Sequence, residues 1–153
     1  MNDRNPALAR LDVLVGRWTV QPRVEGVGPA WTGFAWRHGG RYLEQVVDVD
    51  SIPAGTPRAW RENAPFPTYA VIGFDDATDE FTMLYADGRG VHRVYRMTFA
   101  GREWRIWREA PGFNQRFVGT VTADEASIDA RWERSEDGVT WDLDFGLSYV
   151  RQA

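Results

Sequence analysis

From Gly16 onward apolar and polar positions alternate with a period of two, the spacing of half-buried strands rather than of a helix. The clearest run sets Ile128, Ala130 and Trp132 against Asp129, Arg131 and Glu133. Another sets Trp141, Leu143, Phe145, Leu147 and Tyr149 against Asp142, Asp144 and Ser148. Over 91–99 one parity collects Val91, Arg93, Tyr95, Met97 and Phe99, and the next runs offer Trp104, Ile106 and Arg108, then Phe113, Gln115 and Phe117. Earlier, Leu43, Gln45 and Val47 form an inward set that leaves Glu44 and Asp48 outside. Over 30–36 and 69–74 both parities carry bulky apolar side chains, so the inward face is open there. Turn signals at 38–41, 75–78, 87–90, 100–101, 110–112, 122–125 and 136–138 cut the chain into about ten such runs. Connections this short make an antiparallel meander, because a parallel crossover takes a dozen or more residues. Only 51–68, with Pro53, Pro57, Pro65, Pro67, Trp60 and Phe66, is long enough for anything else, and it is expected to lie at the mouth as a lid or binding loop. A meander hides its edges by closing, so the expected fold is all-β, one closed antiparallel up-and-down barrel of about ten strands spanning 1–153 as a single domain. Ahead of it, Asn5-Pro6 reads as an N-cap and first helical position, with Leu8, Leu11, Leu14 and Val15 on one face of a short amphipathic helix.

Composition narrows the function. The chain has 153 residues, of which 14% are aromatic, with eight Trp, eight Phe and five Tyr, so the interior is expected to be wide and ring-lined. Net charge is −4 without a basic stripe, which disfavours nucleic acid as a partner. There is no Cys, which removes thiolate metal sites and a Cys nucleophile, and all 18 basic side chains are Arg, which removes Schiff-base chemistry. No segment has the length of a signal h-region or of a membrane span, and the chain reads as cytoplasmic. No phosphate loop, G-x-S-x-G or H-E-x-x-H is present, and no metal site is called for.

The candidate ligand-binding residues are Trp36, Gln45, Tyr85, Arg93, Tyr95, Met97, Trp104, Arg108, Gln115, Phe117, Trp132 and Phe145. Two of them are guanidinium groups on the inward parity, and a buried guanidinium needs an acid, a carbonyl cluster or an anionic ligand. Either Arg93 and Arg108 pair with Glu44, Asp87 or Glu109 at the rim and bind nothing, or they hold a small hydrophobic or amphipathic anion such as a fatty acid. An enzyme is the competing class, with Tyr85, Tyr95 or Asp87 moving a proton on a substrate held by the two arginines, as in an isomerase or cyclase. A third reading is a filled barrel in which Trp36, Trp104, Trp107, Trp132 and Trp141 are packing. A homodimer contact through an exposed ring such as Trp60 is open.

Gly16-Arg17-Trp18 after a short helix, together with Arg151 near the end of the chain, resembles the calycin superfamily of lipocalins, fatty-acid-binding proteins and nitrobindin-like barrels. The resemblance implies that Trp18 and Arg151 close one barrel end by a cation–π contact, a structural role. The stretches 74–76, 85–91, 115–117 and 132–138 also look like a bacterial group of lipocalin-like domains from which no activity carries over. Two departures stand out. Fatty-acid-binding proteins clamp carboxylate with Arg-x-Tyr on the final strand, where this chain has Tyr149-Val150-Arg151. Nitrobindins ligate haem through a His near the C-terminal end, and no His follows His92 here, so haem is a minor alternative resting on His38 or His92 and no other cofactor is expected.

Overall fold

Short turns dominate the chain, and they produce the expected meander. The computed structural model describes residues 4–153. Its strands are β1 (Gly16–Pro22), β2 (Ala30–Arg37), β3 (Tyr42–Asp48), β4 (Thr68–Asp75), β5 (Glu80–Asp87), β6 (His92–Ala100), β7 (Glu103–Arg108), β8 (Asn114–Val121), β9 (Ser127–Ser135) and β10 (Asp142–Arg151). Each pairs antiparallel with its sequence neighbour, and β1 pairs with β10, so the ten strands form a closed barrel without a free edge.

The N-terminal segment Pro6–Leu14 plugs one end, but as a 3₁₀ helix rather than an α-helix. The reason lies in its spacing: Leu8, Leu11 and Leu14 recur every three residues, the period of a 3₁₀ turn, and all three are buried. Asn5 caps it, its side chain accepting from Ala7 N at 2.9 Å, ahead of the expected Pro6.

The plugged end is closed by Trp18 and Arg151, which are direct partners across β1 and β10. The Arg151 guanidinium lies 4.1 Å over the Trp18 ring and donates to Val13 O at 2.6 Å, Val15 O at 2.8 Å and Glu125 O at 3.1 Å. Trp18 Nε1 donates to Leu14 O at 2.9 Å, so the two residues together satisfy the carbonyls at the end of the helix. Gly16 is required beside them: its φ is +118°, and a Cβ there would stand 3.3 Å from Arg151 Nη1.

The inward sets of β6, β7, β8 and β9 are those the alternation predicts. The open faces resolve with Thr32, Phe34 and Trp36 pointing in from β2, and Ala70, Ile72 and Phe74 from β4. The expected inward set of β10 is wrong at its start. The pairing with β9 shifts register between Leu143 and Phe145, an irregularity that turns Leu143 outward, where it is 63% exposed. Trp141 is also outside, its ring 4.1 Å beneath the Arg116 guanidinium. Arg17 over Trp31 at 4.0 Å and Arg96 over Trp107 at 5.0 Å repeat that arrangement. No helix among the described residues is long and apolar enough to cross a membrane.

Candidate functional site

The barrel ends differ in how tightly they are filled. Toward the helix, Leu11, Trp18, Leu43, Ile72 and Met97 are 0% exposed. Toward the opposite end, Gln45 and Gln115 each keep 9%, and Tyr85, Arg93, Arg108, Trp132 and Phe145 are only half-buried. The second end is therefore the mouth, and the long 51–68 segment lies over it as expected. Its short helix Arg58–Glu62 lays Trp60 edge-on against Phe145, ring centroids 5.0 Å apart. The end of this segment is fastened to the β5–β6 turn: Gly88 N lies 3.0 Å from Pro65 O and 2.9 Å from Pro67 O, and Arg89 Nη1 reaches Asn63 O at 3.4 Å. A Cβ on Gly88 would collide with the Phe66 carbonyl, so only glycine permits this approach.

A ladder of rings runs from the mouth inward. Tyr85 meets Tyr95 at 6.0 Å, Tyr95 meets Trp132 at 6.0 Å, Trp132 meets Phe117 at 5.1 Å, and Phe117 meets Trp104 at 4.8 Å. Such offset and edge-on pairs are the geometry that ring quadrupoles favour. Trp104 is buried, its Nε1 without a partner among the described residues, and it packs edge-on to Phe34 and Phe117. Deeper in β3, Gln45 Nε2 donates to Thr32 Oγ1 at 3.2 Å, which in turn donates to Val46 O at 3.1 Å.

At the mouth the polar groups converge on Gln115. Its Oε1 accepts from the Tyr95 hydroxyl at 2.8 Å and from Arg93 Nη1 at 3.4 Å, while its Nε2 donates to no protein atom among the described residues. Arg93 lies 5.4 Å from the Phe113 ring centroid and Arg108 lies 6.0 Å from that of Tyr95, near the outer limit of a cation–π contact. Among the described residues neither arginine forms an ion pair. Of the three carboxylates expected as partners, two are committed elsewhere. Glu44 takes Arg37 at 2.7 Å and the Tyr69 hydroxyl at 2.9 Å, which hold its carboxyl below the usual range, and Asp87 takes Arg89. Glu109 forms no ion pair among the described residues.

Asp87, Tyr85 and Tyr95 are the groups on which proton transfer would rest, and each is occupied. The Asp87 side chain has no exposed surface. Burial alone would raise its pKa, but donors from Arg89 and Tyr85 and the backbone N–H of Arg89 outweigh burial and hold the carboxyl well below the ordinary range. Tyr85 donates to Asp87 Oδ2 at 2.7 Å, and burial followed by that bond pushes its hydroxyl well above the usual value. Tyr95 is spent on Gln115. This cluster braces the turn that fastens the loop.

The expected site residues thus separate into groups. Tyr85, Arg93, Tyr95, Arg108, Gln115, Trp132 and Phe145 belong to the mouth half, with Gln45, Phe117 and Trp104 below them and Met97 in the packed floor. Trp36 is not among them: it lies at the plugged end, where Nε1 donates to Asp12 Oδ1 at 2.9 Å beneath Arg4. Neither histidine lines the interior: His38 packs on Tyr42 in the β2–β3 turn, and His92 is exposed on the outer face of β6. Three mouth residues escaped the candidate set. Phe113 and Arg134 continue the inward parity of β8 and β9, a signal present in the alternation, whereas the placement of Trp60 on Phe145 depends on loop geometry.

No family model matches the chain, and no curated protein matches it. Among solved structures the chain is similar to the crystal structure of Rv2717c from M. tuberculosis, with 15% sequence identity over 99% of this chain and 100% of that one and a TM-score of 0.60. At that identity the likeness concerns the fold: both chains are barrels of the same size.

Proposed function

We propose that the barrel is a binding protein for a small amphipathic anion, of the kind found among calycins, with the ligand's apolar body among the rings of Tyr85, Tyr95, Phe117 and Trp132 and its acid group at Arg93, Arg108 and Gln115. The observation that carries the reading is the pair of half-buried guanidinium groups at an aromatic mouth with no carboxylate on either. Half-buried charges without an acid beside them bear part of the cost of burial, and a bound acid offsets it while accepting from the free Nε2 of Gln115.

Titration with dodecanoate and with dodecanol, followed by Trp fluorescence, tests it, after native mass spectrometry has established whether the purified protein carries a ligand. Dodecanoate should bind the more tightly, and replacing both Arg93 and Arg108 with Met should weaken it by about tenfold or more while leaving dodecanol unchanged. Equal binding of dodecanoate by the wild type and the double variant overturns the anion site. Loss of both ligands in a folded variant would place the effect in the apolar wall instead.

A further inference from the structure

Two neighbours fix which way round the Gln115 amide stands. Its oxygen and nitrogen ends have the same shape, so only their partners tell them apart. Arg93 Nη1 lies 3.4 Å from one end, and a guanidinium has donors but no acceptor, so that end is Oε1. The Tyr95 hydroxyl stands 2.8 Å from the same oxygen and therefore donates to it. Of the two contacts the tyrosine's is the short and buried one, whereas 3.4 Å is long for an N–H donor. Tyr95 is itself held in place. It is buried on β6, and its ring meets those of Tyr85 and Trp132 edge-on, with centroids 6.0 Å away in each case. The hydroxyl that reaches Gln115 on β8 thus comes from a ring packed on both sides.

With its oxygen taken, the amide has only N–H groups left to offer. Among the described residues the enclosed polar atoms without a partner are Arg4 Nε, Thr56 Oγ1 and Trp104 Nε1. Gln115 Nε2 also lacks a protein acceptor but is not one of these, so it opens onto accessible space. A carboxylate only accepts hydrogen bonds and matches this orientation alone, whereas an alcohol both donates and accepts and matches the amide either way round. We infer that Tyr95 is a positioning residue: its hydroxyl locks the Gln115 amide with the N–H groups toward the ligand, and so makes the mouth select an acid over an alcohol of the same chain. The inference rests on the anion-binding reading above and names the group that sets its selectivity. Arg93 is a ligand-binding group in that reading and turns to the bound acid, which leaves the tyrosine as the anchor of the amide. Without the hydroxyl the amide is free to rotate and to turn its oxygen on the acid.

Calorimetric titration of the wild type, Tyr95→Phe, Gln115→Met and the double variant with dodecanoate and dodecanol tests this, with far-UV circular dichroism to verify folding. Tyr95→Phe keeps the ring and deletes only the hydroxyl, so it should weaken dodecanoate about fivefold and dodecanol by less than about twofold. Gln115→Met should weaken dodecanoate about tenfold. In that background Tyr95→Phe should have no further effect on dodecanoate, because the tyrosine acts through the amide. A tyrosine that serves only as wall would weaken both ligands alike and would do so in the methionine background too. Either result overturns the positioning role, as does unchanged discrimination in Tyr95→Phe. Gln115→Glu leaves Tyr95 its acceptor and puts an oxygen where Nε2 stands, so it should reverse the order of the two ligands. A preference for dodecanoate that survives Gln115→Glu overturns the inference however the tyrosine variant folds. Equal binding of the two ligands by the wild type overturns the anion-binding reading itself, and the positioning role with it.

Discussion

Removing the Arg151 guanidinium should loosen the plugged end of the barrel. Arg151→Met keeps the aliphatic stem and deletes the donors to Val13 O, Val15 O and Glu125 O together with the cation 4.1 Å above Trp18. A hydrogen bond to a charged group contributes roughly 1.5–3 kcal/mol and a cation–π contact roughly 0.5–2 kcal/mol, so an undiscounted sum for the three bonds and the stack is roughly 5–11 kcal/mol. Arg151 is only half-buried, however, and water can replace part of what is lost at the carbonyls. A discount to about one third leaves about 2–4 kcal/mol, or a fall in Tm of roughly 5–15 °C for a chain of this size. Urea denaturation followed by far-UV circular dichroism measures the change, and Arg151→Lys separates charge from geometry. A compact ammonium cannot reach three diverging carbonyls, so lysine should recover less than half of the loss. A fall below about 0.5 kcal/mol in the methionine variant would show that the buried leucines of the helix hold this end without Arg151.

Two further outcomes follow from the mouth. The folded-state pKa of Asp87 is depressed, so its contribution to stability is present in full above the unfolded carboxylate value of about 3.9 and is lost as pH falls below it. Asp87→Asn should therefore cost about 2–4 kcal/mol at pH 7, and the gap to the wild type should narrow from pH 4 downward; a pH-independent gap in denaturation midpoints would contradict the assignment. Trp60→Ala removes the ring against Phe145, and stopped-flow measurement of a bound anionic fluorophore should show faster association and dissociation with the affinity changed much less; unchanged rates would mean that the loop does not gate the mouth.

Much of this architecture was legible in the sequence because β6 to β9 obey strict alternation and the turns between them are short, so parity and topology follow from period and loop length. Parity set Trp107 outside and left Trp31 open, and it failed at Trp141, which it placed inward. Trp31, Trp107 and Trp141 stand outside because Arg17, Arg96 and Arg116 lie over their faces, and a guanidinium with its aliphatic stem shields a ring about as effectively as a core neighbour would. The break near Leu143 comes from a local register shift, which leaves no mark in hydropathy. At the candidate site the inward positions of Arg93 and Arg108 were readable, while the absence of acids beside them was not. That depends on Glu44 and Asp87 turning to Arg37 and Arg89, a matter of side-chain geometry across strands and turns. Trp36 illustrates the same limit: its inward parity is real, but parity carries no information about depth along the barrel axis.

The arginine–tryptophan stacks on the outer wall have a consequence for strand registration. Where a strand is apolar on both faces, sliding it by one residue exchanges two nearly equivalent surfaces, and hydrophobic burial hardly opposes the error. A stack does oppose it, because Arg96 meets Trp107 only when those two positions face each other, and Arg17 meets Trp31 only on the diagonal set by the pairing of Thr19 with Trp31. A one-residue slip would take each cation off its ring and turn the ring inward. The exterior tryptophans thus favour the observed register of β1 with β2 and of β6 with β7.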